Sequence, residues 1–436
     1  MSGLTADVVI VGAGAAGLAT ALMTRRQNPD LDVLLLDGSP KPGAKILISG
    51  GGRCNVTNTI VHESDFWGGR RPVVRRVLQA FPVGQTIEFF EELGVALHVE
   101  AGGKLFPNSN RARDILDALL SASQNSGVRL ESGYRVTGLA LDRDGRGFIL
   151  RSSRGSIAAP FVVLATGGRS LPKTGSDGTG YEFATSLGHS LVDQTPALAP
   201  LVLDTGTRFS VHTRLSGVSV DAEISVWIDG AVATRQQGAV LWTHFGLSGP
   251  AVLNVSRHWA RARLDGHQVR LTLSFDPGAS YESQDADWRR AATERPRSTV
   301  RSTLAARLPD AVAMAIAGAV EIPADRILAD LTRDDRKRLV HAITAWPLPV
   351  LDTRGYNFAE VTAGGVALSE IDPDSMESRV CPGLFLVGEI LDVDGRLGGF
   401  NFQWAWSSAW VASRALAARA PASGRQTRPA RSPTPG

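Results

Sequence analysis

The chain has 436 residues, of which 43% are hydrophobic and 20% charged, an ordinary globular composition that excludes collagen-like and wholly disordered proteins. Its two cysteines form no CxxC pair, which argues against a disulfide framework, a zinc ribbon and dithiol redox chemistry. Because the sequence has no run of about 18 apolar residues, we expect no membrane span. The formal charge is +3, but residues 419–436 hold four arginines and no acid, so residues 1–418 carry −1 and the basic pI of about 9.1 is a property of the tail.

The opening of the chain predicts a βαβ unit. Residues 7–11 are an apolar run closed by glycine, which is typical of a buried parallel strand. Residues 15–27 are rich in Ala and Leu and predict a helix, and residues 32–36 predict a second buried strand that ends at Asp37. Because Asp7 rather than a basic residue precedes the first apolar run, we expect no signal peptide and a cytoplasmic protein.

The turn between this first strand and helix has the spacing of a dinucleotide-binding motif. Gly12-Ala13-Gly14-Ala15-Ala16-Gly17 is GxGxxG placed directly after a strand and at the start of a helix. Gly12 allows the tight turn, Gly14 lets the backbone approach a pyrophosphate, and Gly17 lets helix and strand pack closely. The helix N-terminus offers free N–H groups to phosphates, and Asp37 is placed to accept hydrogen bonds from a ribose. A tight βα turn without a ligand is the alternative.

Further elements follow in chain order. The pattern predicts a helix over 111–124, a hairpin over 134–152 that turns at Asp144-Gly145, a third buried strand over 161–168, an alternating strand over 218–228 that ends in Asp229-Gly230, a strand over 271–275, helices between about 285 and 345, buried-strand character over 383–389 and a final helix near 402–418. The fold class is therefore α/β, with a Rossmann-like domain interrupted by inserted antiparallel β and helical parts.

This order of elements predicts five segments. They are a first cofactor-domain segment (1–195), an inserted β-barrel-like domain (196–280), an inserted helical part (281–350), a second cofactor-domain segment (351–418) and a disordered basic tail (419–436). In the helical part, eleven Lys and Arg stand against ten Asp and Glu, which favours solvated helix faces over a phosphate-binding patch. For the tail, a solvated terminus is favoured over RNA binding.

The spacing of the glycine-rich segments favours FAD over NAD as the dinucleotide. An NAD domain normally continues in alternating βαβ units, whereas here three distant segments return to one nucleotide, as a long ligand such as FAD requires. Residues 175–180 (GSDGTG) have the wrong spacing for a second dinucleotide motif and follow no strand. Any NAD(P)H is therefore expected to bind transiently over the flavin.

Several long motifs resemble the BaiN/YhiN-like flavoprotein family. They are the opening fingerprint, ISGGGRCNVTN (48–58), LATGGRSLPKTGSDGTGY (164–181), LWTHFGLSGPAVLNVS (241–256), VTAGGV (361–366), SMES (375–378) and PGLFLVGEILDVDGRLGGFNFQWAWSSAW (382–410). The resemblance implies a glutathione-reductase-like FAD domain and oxidoreductase activity. Activities of the family include reduction of conjugated C=C bonds in steroid-like acids and reduction of a uracil in ribosomal RNA, and an amine oxidase activity has been proposed; the fold does not choose among them.

The candidate cofactor residues lie on these glycine-rich segments. The amides of residues 49–55 suit phosphate or flavin carbonyl oxygens, with Lys45 and Arg53 as nearby positive charge, and Cys54 is interpreted as packing or flavin-edge lining. By resemblance, Glu389 holds the ribityl chain. Residues 398–401 precede the last helix, whose N-terminus would stabilise negative charge on the reduced ring if aimed at the flavin pyrimidine. The complete expected set is Gly12, Gly14, Ala15, Ala16, Gly17, Asp37, Lys45, Ser49, Gly51, Gly52, Arg53, Cys54, Asn55, Val136, Thr166, Gly167, Gly168, Gly388, Glu389, Asp392, Gly399, Phe400 and Asn401.

The expected chemistry is NAD(P)H-driven reduction of a conjugated C=C bond in a small molecule. His244 is the leading candidate for the proton donor on the substrate side, because histidine titrates near neutrality; a hydrogen-bonded structural histidine is the alternative. A ribosomal RNA uracil reductase, an amine oxidase and a non-catalytic flavin redox sensor are the alternative functions. Trp404, Trp406 and Trp410 are expected to pack in the core or over the flavin, and no metal or membrane partner is expected.

Overall fold

The computed structural model describes residues 4–419, which form two compact units. The first unit comprises the chain up to Gly168, Thr174–Val192 and the chain from Gly364 onward, and the second comprises Arg169–Lys173 and Asp193–Ala363. The predicted boundaries were residues 195 and 350, and the predicted β and helical insertions lie together in the second unit. The predicted tail lies outside the described residues apart from Arg419, which pairs with Glu377.

The chain up to residue 192 holds the first twelve strands and six helices. The strands are β1 (Leu4–Thr5), β2 (Val8–Val11), β3 (Val33–Leu36), β4 (Thr57–Asn58), β5 (Phe66–Gly68), β6 (Leu97–Glu100), β7 (Lys104–Pro107), β8 (Arg129–Glu131), β9 (Val136–Leu141), β10 (Phe148–Ser152), β11 (Gly155–Ala159) and β12 (Phe161–Leu164). The helices are α1 (Ala15–Gln27), α2 (Ala44–Ile48), α3 (Arg71–Ala80), α4 (Val83–Glu92), α5 (Ala112–Asn125) and α6 (Thr179–Ser186).

The remaining elements are numbered in the same order. The strands are β13 (Leu191–Ala197), β14 (Leu201–Leu203), β15 (Ser219–Ile228), β16 (Ala231–Thr243), β17 (Gly246–Ser248), β18 (Val269–Ser274), β19 (Trp346–Leu348), β20 (Val350–Thr353), β21 (Val361–Val366), β22 (Leu384–Leu386) and β23 (Val393–Gly395). The helices are α7 (Pro250–Leu264), α8 (Tyr281–Glu294), α9 (Val300–Ala305), α10 (Asp310–Ala319), α11 (Arg333–Thr344) and α12 (Phe400–Ala417).

The first unit is organised around a five-stranded parallel sheet with the strand order β22-β12-β2-β3-β8. Every residue of β2, β3 and β22 is buried, which explains their uninterrupted apolar sequences, since a parallel sheet covered on both faces shows no alternation. The predicted βαβ unit is confirmed, as is the hairpin of β9 and β10. The predicted third strand is shorter than expected and ends at Leu164, so that the glycines of its exit lie in a loop.

The second unit contains a seven-stranded antiparallel sheet that closes on itself. Its strand order is β19-β18-β15-β16-β17-β14-β20. The two edge strands, β19 and β20, are separated only by Pro349 along the chain, so one extended segment pairs with β18 through its first half and with β14 through its second. The predicted alternation over 218–228 is present in β15, which turns at Asp229-Gly230 into β16. The inserted sheet is therefore barrel-like, with each edge satisfied by the same segment.

Each unit has its own apolar core. In the first unit the final helix is largely buried: Trp404 and Trp406 are at most 1% exposed, and Trp410 packs on Phe81 at 5.3 Å between ring centroids. The Trp404 indole N–H donates to the carbonyl of Gly388 at 3.1 Å, and that of Trp406 to the carbonyl of Val56 at 2.9 Å. These tryptophans are core residues and not a stacking surface for nucleic acid. No helix within residues 4–419 is both long and apolar enough to cross a bilayer.

Two glycines of the barrel-like sheet allow a matched test of this closure. Gly246 and Gly238 share nearly the same backbone angle, with φ of +148° and +149°. A Cβ at Gly246 would lie 2.2 Å from the carbonyl oxygen of Leu201, whereas a Cβ at Gly238 would meet nothing nearer than 3.8 Å. We expect Gly246→Ala to lower the free energy of unfolding by about 1–3 kcal/mol more than Gly238→Ala, as measured by urea denaturation. Equal losses would show that the contact with β14 is not required.

Candidate functional site

Packing explains two of the three motif glycines at the turn between β2 and α1, but not the third. A Cβ at Gly12, which has φ +106°, would lie 2.5 Å from the carbonyl oxygen of Ala165, and a Cβ at Gly17 would lie 1.8 Å from that of Gly12. A Cβ at Gly14 would meet no described atom within 4 Å. The first and third glycines are thus required by the fold, while the second faces open space, as a site for a closely approaching ligand requires.

The N-terminus of α1 has the properties of an anion-binding site. Gly14 is the N-cap, no side chain caps the helix, and its first turn contains no acidic residue. Ala15 and Ala16 are the first two helical residues, and their small side chains leave the backbone N–H groups accessible. Uncapped N–H groups at a helix N-terminus carry a partial positive charge and bind phosphate well.

Asp37 is fixed beside this turn by backbone hydrogen bonds. Its Oδ2 accepts a hydrogen bond of 2.7 Å from the N–H of Ala13, and its Oδ1 accepts one of 2.7 Å from the N–H of Ser39. Burial raises the pKa of the Asp37 carboxyl, and the two N–H donors and the charge of Arg135 oppose that rise. Each carboxylate oxygen can accept a second hydrogen bond, so the group is held in position to bind hydroxyls.

The glycine-rich segment after α2 forms a concave run of amides. Gly50, Gly51 and Gly52 have φ of 56°, 68° and 84°, a left-handed conformation that side chains disfavour. A Cβ at Gly51 would meet nothing within 4 Å, and one at Gly52 only the carbonyl of Leu47 at 3.9 Å. The hydroxyl of Ser49, at the start of the segment, donates to the carbonyl of Ile46 at 2.8 Å. The exposed glycines therefore offer N–H groups to a ligand, since packing does not require them.

Two residues that follow these glycines, Arg53 and Cys54, are held by contacts or burial within the protein. Arg53 pairs with Glu100 at 2.6 Å and lies 4.0 Å above the ring of Phe106, and this hydrogen bond lowers the pKa of Glu100. Its charge is therefore balanced within the protein. Cys54 is fully buried, which raises its thiol pKa to about 12, so it is not a nucleophilic thiolate at neutral pH.

Asn55 connects this segment to two others. Its side-chain nitrogen faces two acceptors and donates to the carbonyls of Leu105 and Thr57 at 3.2 and 2.8 Å. Its side-chain oxygen accepts from the N–H of Gly399 at 3.2 Å. Gly399 itself has no room for a side chain, since a Cβ there would lie 2.4 Å from the carbonyl of Thr57. Asn55 therefore links the glycine-rich segment to β4 and to the start of α12.

A half-buried ion pair links α2 to the C-terminal segment. The ammonium of Lys45 lies 2.9 Å from Oε2 of Glu389 and 3.4 Å from the hydroxyl of Ser176, which in turn donates to the carbonyl of Gly168 at 3.1 Å. Lys45 and Glu389 are among the predicted cofactor residues and Ser176 is not, because residues 175–180 lack the spacing of a second dinucleotide motif. The position of Ser176 within the motif 164–181 was the signal that could have identified this residue.

The distant segments predicted to reach one nucleotide converge on the first turn of α1. A Cβ at Gly388 would lie 2.8 Å from the Cβ of Ala16, and Gly12 lies against Ala165, so both distant segments border the first turn of α1. Thr166 follows Ala165, and its hydroxyl oxygen is buried without a hydrogen-bond partner among the described residues. Gly167, with φ +71°, has no room for a side chain because a Cβ would lie 2.7 Å from the Ser176 hydroxyl.

Other expected residues take mainly supporting positions. Asn401 binds both the N–H and the carbonyl of Gly395, at 2.8 and 2.9 Å, and Phe400 is 1% exposed and packs edge-on against Phe66. Asp392 is buried and accepts a backbone hydrogen bond from Gly69 at 2.7 Å. Val136 begins β9 and is also buried. 

His244 belongs to the second unit, at the turn between β16 and β17. It is exposed, and its ring meets Phe245 edge-on at 5.2 Å between centroids. Within residues 4–419, no three His, Cys, Asp or Glu side chains are grouped as ligands for a metal ion.

The open glycines and the uncapped helix together fit a dinucleotide, and comparison with known proteins identifies the family. The model of the HI0933-like protein Rossmann domain matches residues 6–415. The chain belongs to this family. The resemblance inferred from the motifs is thereby confirmed, and with it the Rossmann-like FAD-binding fold: the chain is a flavoprotein oxidoreductase.

Two relatives match nearly the whole chain. The chain is 33% identical over 410 residues to the 3-dehydro-bile acid delta(4,6)-reductase of Clostridium scindens, which covers 94% of this chain and 98% of the relative. It is 34% identical over 412 residues, with the same two coverages, to the ribosomal RNA dihydrouridine synthase of Escherichia coli. Among solved structures, a quinol fumarate reductase of E. coli matches 98% of this chain and 72% of that chain with a TM-score of 0.51 and 18% identity, a similarity of fold.

The glycines of the first turn provide a test that separates packing from ligand binding. We expect Gly17→Ala to destabilise the flavin-free protein by about 1–3 kcal/mol because of its clash with the Gly12 carbonyl. Gly14→Ala should change that stability by less than about 0.5 kcal/mol, since its φ of −81° suits alanine, yet weaken FAD binding by about tenfold or more. Thermal unfolding and FAD titration of the apoprotein measure both. Unchanged FAD affinity in Gly14→Ala would contradict the assignment.

Proposed function

We propose that this protein uses NAD(P)H to reduce a conjugated C=C bond of a small molecule, with FAD as the bound cofactor. The observation that carries the proposal is the match to the bile acid reductase, which extends over almost the full length of both chains. The near-neutral charge of residues 1–418 also supports a small substrate over a polyanionic one.

The residues of the first unit are assigned to the cofactor as follows. The amides at the start of α1 bind the diphosphate, and Asp37 accepts hydrogen bonds from the adjoining ribose. The amides of Gly51 and Gly52 bind carbonyl oxygens of the flavin, and Glu389, oriented by Lys45, binds ribityl hydroxyls. Bound FAD would supply hydride transfer, while the protein positions it and sets its charge.

His244 is proposed to donate the proton that completes reduction of the C=C bond. Its imidazole is exposed at the turn after β16, so a substrate can reach its ring nitrogens. The Phe245 ring, which contacts its edge, restricts the orientation of the imidazole. As the proton donor, His244 would protonate the carbon next to the one that receives the hydride.

Ribosomal RNA is the second candidate substrate. Two relatives, from E. coli and from Haemophilus influenzae, are ribosomal RNA dihydrouridine synthases, 34% and 30% identical to this chain. Reduction of uracil is chemically the same C=C reduction on a different partner. An RNA substrate would require binding that weakens steeply with salt, because phosphate contacts release counterions.

Anaerobic mixing tests the proposed electron donor and substrate together. We expect NADPH or NADH to bleach the flavin absorption band, and a 3-oxo-4,6-diene steroid acid to restore it. If neither nucleotide bleaches the band, the nicotinamide step is wrong. If ribosomal RNA restores the band and the steroid does not, the RNA function replaces the small-molecule one.

Replacement of His244 tests the proton donor. We expect His244→Ala to slow reoxidation of the reduced flavin by the steroid by about 100-fold or more, the usual effect of losing a general acid, and to leave reduction by NAD(P)H unchanged. His267, an exposed histidine of the same unit that pairs with Asp229, is the matched control, and His267→Ala should leave both rates unchanged. Stopped-flow absorbance measures each half-reaction. A slowed reductive half-reaction would place His244 elsewhere in the mechanism.

A further inference from the structure

The second unit contains a guanidinium group in contact with two aromatic rings. The central carbon of the Arg354 guanidinium lies 3.5 Å from the centroid of the Phe358 ring and 4.2 Å from that of Phe245. Phe358 is 46% exposed and Arg354 is half-buried. Two cation–π contacts at these distances restrict the movement of the guanidinium, whose N–H groups lie in its plane and can donate to a ligand.

The closure of the barrel-like sheet brings these side chains together. β14 pairs with β17 on one side and with β20 on the other. Phe245 immediately precedes β17, and its carbonyl accepts from the N–H of Leu203 at 3.1 Å. Arg354 immediately follows β20, and its N–H donates to the carbonyl of Pro200 at 2.9 Å. The arginine is therefore fixed through its backbone as well as through its side chain.

The Arg354 charge is not balanced by a carboxylate. Among residues 4–419, no Asp or Glu lies within ion-pair distance of it, in contrast to most arginines of helices α8 to α11. The nearby carboxylate of Asp352 instead accepts from the N–H of Thr353 at 2.7 Å. A second cation, Arg169, lies 5.5 Å above the ring of Tyr356, two residues beyond Arg354.

We infer that Arg354 binds a carboxylate of the substrate, with Phe245 and Phe358 contacting the apolar body beside it. A planar guanidinium of fixed orientation donates two parallel hydrogen bonds to a carboxylate. The exposed Phe358 ring adds apolar contact, and His244 lies next to Phe245 in sequence and in space. This inference rests on the proposed function and narrows its substrate to organic acids.

Arg270 offers a matched control within the same unit. It too is exposed, lies 4.6 Å above an aromatic ring, that of Trp227, and has no carboxylate at ion-pair distance among the described residues. Replacing Arg270 therefore removes the same charge and the same kind of stacking without touching the cluster around Arg354.

Calorimetric titration of the oxidised, FAD-loaded protein with a 3-oxo-4,6-diene steroid acid and with its methyl ester tests the inference. We expect the wild type to bind the acid at least tenfold more tightly than the ester. Arg354→Gln should remove this preference by weakening acid binding alone, Arg354→Lys should retain part of it, and Arg270→Gln should retain all of it. Unfolding temperatures of the variants confirm that each is folded.

Binding is measured without turnover, so the result is independent of the proposed reaction. An acid that binds with the expected preference but does not reoxidise the flavin would contradict the proposed function and support the carboxylate site. Equal binding of acid and ester by the wild type, or a preference that survives Arg354→Gln, would overturn the inference. The inference would also be overturned if Arg354→Gln weakened binding of ribosomal RNA but not of the steroid acid, because Arg354 would then be a phosphate contact.

Discussion

The candidate cofactor site depends on how closely the backbone approaches itself at the start of α1. Gly12 lies against the carbonyl of Ala165, and Gly17 lies against the carbonyl of Gly12, with no space for a methyl group at either position. This contact holds the exit of β12 beside the first turn of the helix, and Gly388 joins them through its contact with Ala16. If any of these positions carried a side chain, the helix N-terminus would be displaced from the loops that complete the site.

Around this backbone contact, polar groups fix the loops that the glycines leave flexible. The Lys45–Glu389 pair joins residues that are 344 positions apart, and Ser176 extends it to the carbonyl of Gly168. A half-buried ion pair contributes little to stability by itself, because desolvation offsets much of its attraction. Its value here is positional, since it sets the orientation of a carboxylate at the end of a strand.

The elements that the sequence predicted depend on local pattern, whereas contacts between distant residues could not be predicted from it. The βαβ unit and both Asp-Gly hairpins follow from periodicity and turn chemistry, and they were found. Helix α3 was missed although Val74, Val77 and Leu78 bury one face at helical spacing after a proline, a pattern the sequence does contain. The pairing of Arg53 with Glu100 is of a different kind: basic charge beside a glycine-rich loop suggests phosphate binding, and no local pattern shows that a carboxylate 47 residues away balances it.

The same distinction separates positions that the fold requires from positions where a side chain can change. Positions such as Gly12 and Gly17 are fixed by contacts between backbone atoms, so substitutions there disturb folding before they alter chemistry. Arg354 and Phe358 instead follow a strand at the surface of the second unit, where a different side chain would leave the pairing of β14 and β20 intact. Substrate preference can therefore change at such positions without cost to the cofactor site, because loops on a rigid scaffold tolerate substitution. If Arg354 binds the substrate carboxylate as inferred above, substitutions at Arg354 and Phe358 would change substrate preference while the pairing of β14 with β20 is kept.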